Sequence, residues 1–197
     1  MSSRPELKID FCSHEAAKYA VEKWHYSKSI PAGKRILFGV WEGGEFVGSV
    51  IYSLGANRNL GKKYGLGNFD RCELVRVALK DGRSHPTSRV VAVSLRLLIR
   101  HSPGIKAVFS YADIGQGHVG TIYQAGGWIY LGKSSPQSEG FINGERVHKR
   151  TISATIGSFS GVAKIQSTRK HLYALTFSED VKVAITAGRL PYPAREA

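Results

Sequence analysis

Apolar and polar positions along this chain change period at intervals that predict an alternation of strands and helices. Residues 8–13 read as a short strand, after which Ser13 can cap a helix whose Ala17, Ala20, Val21 and Trp24 return at helical spacing. That helix should stop near Tyr26, ahead of Pro31 and Gly33. Two strand-like runs, 35–41 and 46–54, flank Glu42-Gly43-Gly44-Glu45, a turn suited to closing an antiparallel hairpin. Residues 57–68 are rich in Gly, Asn and Lys and read as a mobile basic loop. A strand over 73–79 follows, then a helix over 87–101 with Pro86 at its first turn and Pro103-Gly104 beyond its end. Residues 106–111, 118–125 and 128–131 complete the pattern as strand, short helix and strand.

This order predicts an α/β (α+β) fold with a mixed central sheet flanked by helices. Neighbouring strands joined through a helix run parallel, and the hairpin strands antiparallel. From Phe141 onward the periodicity weakens, and Val147-His148-Lys149-Arg150 and Thr168-Arg169-Lys170-His171 make the remainder basic. The expectation is one main domain over 1–140, with 141–197 as a basic C-terminal segment packed on it.

Composition narrows the class. The chain has 197 residues, 28 Lys plus Arg against 15 Asp plus Glu, and a net charge of +13. With 42% hydrophobic and 10% aromatic residues it has the material for a core, which excludes a disordered basic tail. No apolar run nears the roughly 18 residues of a membrane span, and the polar start lacks a signal core, so a soluble, unexported protein is expected. Two cysteines, Cys12 and Cys72, make neither a disulfide framework nor a four-thiolate zinc site and suit a reducing cytoplasm. The charge excess favours a polyanionic partner, most often nucleic acid.

Several residues are candidates for chemistry. Arg89, Arg96 and Arg100 share one helix face and suit a phosphate-contacting stripe or, equally, a solvated one. Asp113 ends the strand Val108-Phe109-Ser110-Tyr111-Ala112-Asp113 at the sheet's carboxyl edge, where a ligand crevice forms, although a turn aspartate reads the same. Arg76 lies inside an apolar strand and needs an anionic or carbonyl partner unless its face is wet. Tyr123 is a proton donor or a core residue. Trp24, His25 and Tyr26 form an aromatic cluster suited to stacking a nucleobase, while Trp24 also continues the apolar stripe. Gly115-Gln116-Gly117-His118-Val119-Gly120 is a poor dinucleotide fingerprint, but its backbone amides suit an anion or oxyanion. The seven histidines show no metal-ligand spacing, and neither a nucleophile elbow nor a reactive cysteine context is present.

Six segments together resemble the Mom proteins of bacteriophages, which modify adenine in phage DNA and protect it from host restriction enzymes. They are EKWHYSKSIPAGK (22–34), FGVWEGGEFVGSVIYSLGAN (38–57), CELVRVAL (72–79), SRVVAVSLRLL (88–98), FSYADIGQGHVGTIYQAGGWIYLG (109–132) and GERVHKR (144–150). The resemblance implies a GNAT-like acyltransferase fold, and Tyr123-Gln124-Ala125-Gly126-Gly127-Trp128 looks like that superfamily's ending. One departure is that acetyltransferases place a Gly-rich pyrophosphate loop after the central strand, whereas here Lys80-Asp81-Gly82-Arg83-Ser84-His85-Pro86 stands in its place. That argues against ordinary acetyl-CoA binding and leaves the donor open.

By the same resemblance the chain is a transferase converting adenine in double-stranded DNA to N6-carbamoylmethyladenine, in the cytoplasm of the bacterial host. Arg76, Asp113 and Tyr123, with Tyr26 and Ser110, are its expected site: Asp113 accepts from the adenine amine, Arg76 holds an anionic donor group, and Tyr123 donates a proton or helps bind a cofactor. Iron, proposed for the family, would draw on tyrosines such as Tyr26 and Tyr123, which residue spacing neither supports nor excludes. Expected phosphate contacts are Arg89, Arg96, Arg100, Lys149, Arg150, Arg169 and Lys170. The alternatives are a GNAT-like N-acyltransferase acting on a protein or small amine, and a non-catalytic DNA-binding protein.

Overall fold

In the computed structural model, which describes residues 4–55, 57, 59–136, 138–142, 145–148, 152, 157, 164–166 and 169–194, a seven-stranded mixed sheet carries the chain. Its strands in chain order are β1 (Leu7–Phe11), β2 (Arg35–Glu42), β3 (Glu45–Ser53), β4 (Arg71–Leu79), β5 (Ala107–Asp113) and β6 (Ile129–Lys133), joined by a late strand, Lys170–Thr176. Three short strands come between: β7 (Ser138–Ile142), β8 (Glu145–His148) and β9 (Lys164–Gln166), which form a separate antiparallel sheet, so the late strand is β10. The main sheet runs β1-β2-β3-β4-β5-β10-β6, with β4 and β5 parallel and the other neighbours antiparallel.

Helix α1 (His14–Trp24) begins at Ser13, whose hydroxyl accepts the Ala16 N–H, and buries Ala17, Ala20 and Val21 against Ile51 and Ala78. Helix α2 (Thr87–His101) crosses from β4 to β5 and buries Val90, Val91, Leu95 and Leu98, the face its periodicity predicts. Arg89, Arg96 and Arg100 lie exposed on the opposite face. Helix α3 (Thr121–Ala125) is shorter than the expected 118–125, because residues 114–116 form a 3₁₀ turn and Gly117 and Gly120 take left-handed φ of 68° and 78°. Gly120 also has no room for a side chain, since a Cβ there would run into the Tyr173 ring.

Two expectations change. The loop 57–68 is anchored: Leu60 and Leu66 are buried beside Phe109, and Arg71 reaches back to donate to the Leu54 and Asn57 carbonyls. The segment beyond 140 is not simply laid on the sheet, because β10 is an interior strand between β5 and β6 with Tyr173 and Ala174 fully buried. Its following helix, α4 (Glu179–Thr186), inserts Val181 and Ile185 into the same cluster. Ile185→Val should therefore cost about 0.5–1.5 kcal/mol in one cooperative denaturant transition, with circular dichroism and tryptophan fluorescence coincident. A separate early transition for the C-terminal segment would show that it does not fold with the sheet.

Candidate active site

β4 and β5 hydrogen-bond side by side only from Arg71–Leu74 against Ala107–Ser110; past that point they part. The register of β3 and β4 explains where β4 turns away. Ile51 pairs with Arg76 and Tyr52 with Leu74, so Val75 is an extra residue, a bulge that bends the strand and resets its alternation. Before it Cys72 and Leu74 face the main core; after it Val77 and Leu79 do. The gap between the parted strands opens into a cavity of about 510 Å³. Its wall includes Arg76, Tyr111, His118 and Tyr123, with His25 and Tyr26 from the end of α1.

Arg76 sits half-buried just past the bulge, its Nε–H donating to the Ser29 carbonyl (3.1 Å) and Nη1 to the Val75 carbonyl (2.7 Å). Burial lowers its pKa, yet a guanidinium stays charged at any working pH. Among the described residues no carboxylate pairs with it. Two carbonyls thus hold the plane in position, and Tyr26 and Glu73 act on the charge electrostatically without an ion pair to it among the described residues, which suits an anion in the cavity.

Tyr123 is buried, its ring packed against Trp128 (5.0 Å between centroids) and Tyr173 (5.1 Å). It is both a core residue and a wall of the cavity. Ser110 Oγ lies 2.8 Å from the Leu74 carbonyl oxygen and 2.7 Å from the Tyr123 hydroxyl oxygen, and its single proton serves one of these two acceptors at a time. Burial pushes the Tyr123 pKa up to about 12, outweighing the opposite effect of the Ser110 bond. At neutral pH the group is a protonated phenol, a donor and not a base.

At the mouth the His25 and Tyr26 rings stack with centroids 4.3 Å apart, and His118 meets Tyr26 edge-on at 5.8 Å. Trp24 also lines the cavity, and it packs against Tyr19 and Phe46, continuing the helix's apolar stripe. His25 Nδ1 accepts the Ser27 backbone N–H (3.1 Å), which assigns the neutral ring's proton to Nε2. Burial first, and then the nearby positive groups Arg76, His118, Lys28 and Lys170, lower its pKa to about 4. Protonation therefore favours the unfolded chain. The associated stability is present above the ordinary value of 6.5 and falls as pH drops toward about 4. Urea titrations should show wild type losing more stability between pH 7 and pH 5 than His25→Gln; equal losses would show that His25 is not held neutral.

Asp113 belongs to the rim. It is absent from the cavity wall, its Oδ1 accepts the Gly115 N–H (3.0 Å), and its Oδ2 pairs with Lys170 Nζ at 3.0 Å. Those contacts match a turn aspartate. Two more amides of the glycine segment are engaged within the turn, Gly117 with the Ile114 carbonyl and His118 with that of Asp113. Lys170 stands beside Asp113, and Arg169 is exposed next to it; Lys149 and Arg150 lie outside the described residues. Sequence reasoning did not single out His118 or Tyr111 as wall residues. A histidine directly after a left-handed glycine was the available sign for the first, and Tyr111 had none beyond its strand position.

The described residues bring together no three His, Cys, Asp or Glu side chains able to hold a metal ion. Tyr123 keeps its phenolic proton and lies within hydrogen-bond distance of Ser110. Tyr26, the other tyrosine considered for iron, stacks on His25 and meets His118 edge-on at the cavity mouth.

The architecture is shared with solved N-acetyltransferases. The chain aligns with an N-acetyltransferase from Staphylococcus aureus Mu50 at a TM-score of 0.53 and 10% identity, over 87% of this chain and 97% of that one. Spermidine/spermine N-acetyltransferase SpeG from Vibrio cholerae aligns at 0.51 and 10%, over 87% and 92%. Such low identity shows the fold alone, which is GNAT-like. Methylcarbamoylase mom of Escherichia phage Mu is 28% identical over 153 residues, 76% of this chain. The match spans 63% of the length of that relative. The pattern of the Mom protein family matches residues 6–194, from β1 through α4 to the end of the described chain, and on that match the chain belongs to the Mom protein family.

Proposed function

We propose that this chain is a DNA-modifying transferase that converts adenine in double-stranded DNA to N6-carbamoylmethyladenine and so protects phage DNA from host restriction. The observation that carries the reading is the cavity between β4 and β5, where a guanidinium with no ion pair among the described residues and a protonated phenol face one space in a member of the Mom family. The adenine amine is a poor nucleophile because its lone pair is delocalised into the ring, so the reaction needs positioning and proton management. It also lies within the base stack, which requires the base to be extruded. The stacked His25 and Tyr26 rings at the mouth offer an aromatic surface for it.

In this reading Arg76 binds the anionic group of the donor, and Tyr123, beside Ser110, protonates the leaving group as the new N–C bond forms and the bond from that carbon to the leaving group breaks; the proton shed by the adenine amine then returns Tyr123 to its neutral form. Asp113 orders the 114–118 turn that brings His118 to the wall and sets Lys170 at the rim. Arg89, Arg96, Arg100, Arg169, Lys170, Lys149 and Arg150 supply sequence-independent phosphate contacts, in keeping with the +13 charge.

The test is mass spectrometry of nucleosides from DNA of cells expressing the protein. An adenosine heavier by one carbamoylmethyl group is expected. Unmodified nucleosides at good expression would overturn the reading and leave either an acyltransferase of other amines or a DNA-binding module.

A further inference from the structure

The GNAT-like fold implies a coenzyme A thioester whose diphosphate lies on backbone amides between β4 and α2, and the residues present there do not fit it. Those amides already hold an anion. Glu42, at the end of β2 and 8% exposed, accepts the Ser84 N–H at Oε2 (2.7 Å) and the His85 N–H at Oε1 (2.9 Å). The carboxylate makes the two-oxygen contact that a phosphate would make. The neighbouring side-chain donors also have partners on this chain, apart from Arg83 Nε. Arg83 donates through Nη1 to the Lys80 carbonyl (2.9 Å) and through Nη2 to the Thr87 hydroxyl. Pro86, at the head of α2, has no N–H to offer. Lys80 Nζ pairs with Glu45 at 2.5 Å. His85 is buried, with its Nε2 against the Pro5 carbonyl (2.8 Å), which ties the turn to the N-terminal segment.

An external diphosphate would meet a fixed negative charge, with the Ser84 and His85 amides and both Arg83 Nη atoms already engaged and the buried Arg83 Nε as the donor left without a partner. Displacing Glu42 would leave a carboxylate buried without partners. The geometry differs at Arg76, where the guanidinium is held by two carbonyls and its charge has no carboxylate partner among the described residues.

We infer that Glu42 is a built-in anion that closes the β4–α2 turn to phosphate, so that the donor is not a coenzyme A thioester anchored there but a molecule that docks in the β4/β5 cavity through an anionic group on Arg76. That a donor exists rests on the proposed transferase activity; the closure of the turn does not.

The test is calorimetry with coenzyme A and inorganic pyrophosphate in the absence of DNA, together with the amide resonances of Ser84 and His85. Wild type should show no saturable binding of either up to about 1 mM, and the two resonances should stay in place. In Glu42→Gln, which keeps the shape but removes the charge and one acceptor, pyrophosphate should shift them. Wild-type binding of coenzyme A tighter than about 0.1 mM with movement of those resonances would overturn the inference. A folded Glu42→Gln that does not respond would also overturn it. Should Glu42→Gln fail to fold, the wild-type measurement decides. Modified adenine from a chain that binds coenzyme A at the turn would refute only this inference, and unmodified adenine with a silent turn would refute only the transferase reading.

Discussion

Tyr123→Phe should lower the yield of modified adenine by about a hundred- to ten-thousand-fold, the range of a general acid–base group, while the protein stays folded. The ring packs against Trp128 and Tyr173, and Phe keeps those contacts. Ser110 still has the Leu74 carbonyl to donate to, so no buried donor is stranded. The stability cost should be about 1 kcal/mol, small beside the loss of activity. The proton is present to be used because burial raises the pKa to about 12, which keeps the phenol protonated throughout the physiological range. Activity should accordingly show no dependence on an ionisation of Tyr123 below pH 9, and nucleoside mass spectrometry beside a denaturation curve separates chemistry from folding. A fully active, stable Tyr123→Phe would remove the residue from the reaction.

Arg76→Ala should cost about a hundred- to a thousand-fold, the scale seen when one electrostatic donor is removed, and Arg76→Lys should recover little of it. Lysine carries the charge but cannot donate simultaneously to the Ser29 and Val75 carbonyls in the fixed plane that aims the guanidinium. The loss should appear mainly at limiting donor, since the charge binds an anionic group, and DNA affinity measured by electrophoretic shift should stay near wild type. If DNA affinity fell instead and the salt dependence of binding weakened, Arg76 would be a phosphate contact. A donor held at Arg76 would need no anion site at the β4–α2 turn, where Glu42 accepts the Ser84 and His85 amides.

Much of the fold is legible along the chain. The helix expected over 87–101 matches Thr87–His101, and the hairpin around Gly43-Gly44 forms as its turn predicts, because both patterns are set by neighbours within a few residues. The misses share a cause. β10 carries Lys170 and His171 amid its apolar residues and pairs with β5, about sixty positions earlier, so no local period marks it as a central strand. Leu60 and Leu66 look like residues of a polar loop until Phe109 and Ile185 are folded against them.

The site divides in the same way. By itself the sequence determined the residue types in play: a cation inside an apolar strand at Arg76, a tyrosine after the glycine segment at Tyr123, an aromatic cluster at 24–26, and a charge excess suited to DNA. Only the tertiary structure decided which of them share a space. The extra residue at Val75 parts β4 from β5 and brings Arg76 and Tyr123 onto one cavity, while Asp113 turns to Gly115 and Lys170 at the rim. Glu42 finds Ser84 and His85 across more than forty residues. Protonation states follow from that packing. Burial keeps Tyr123 protonated and His25 neutral, and burial is a property of the assembled layers that no stretch of chain carries alone.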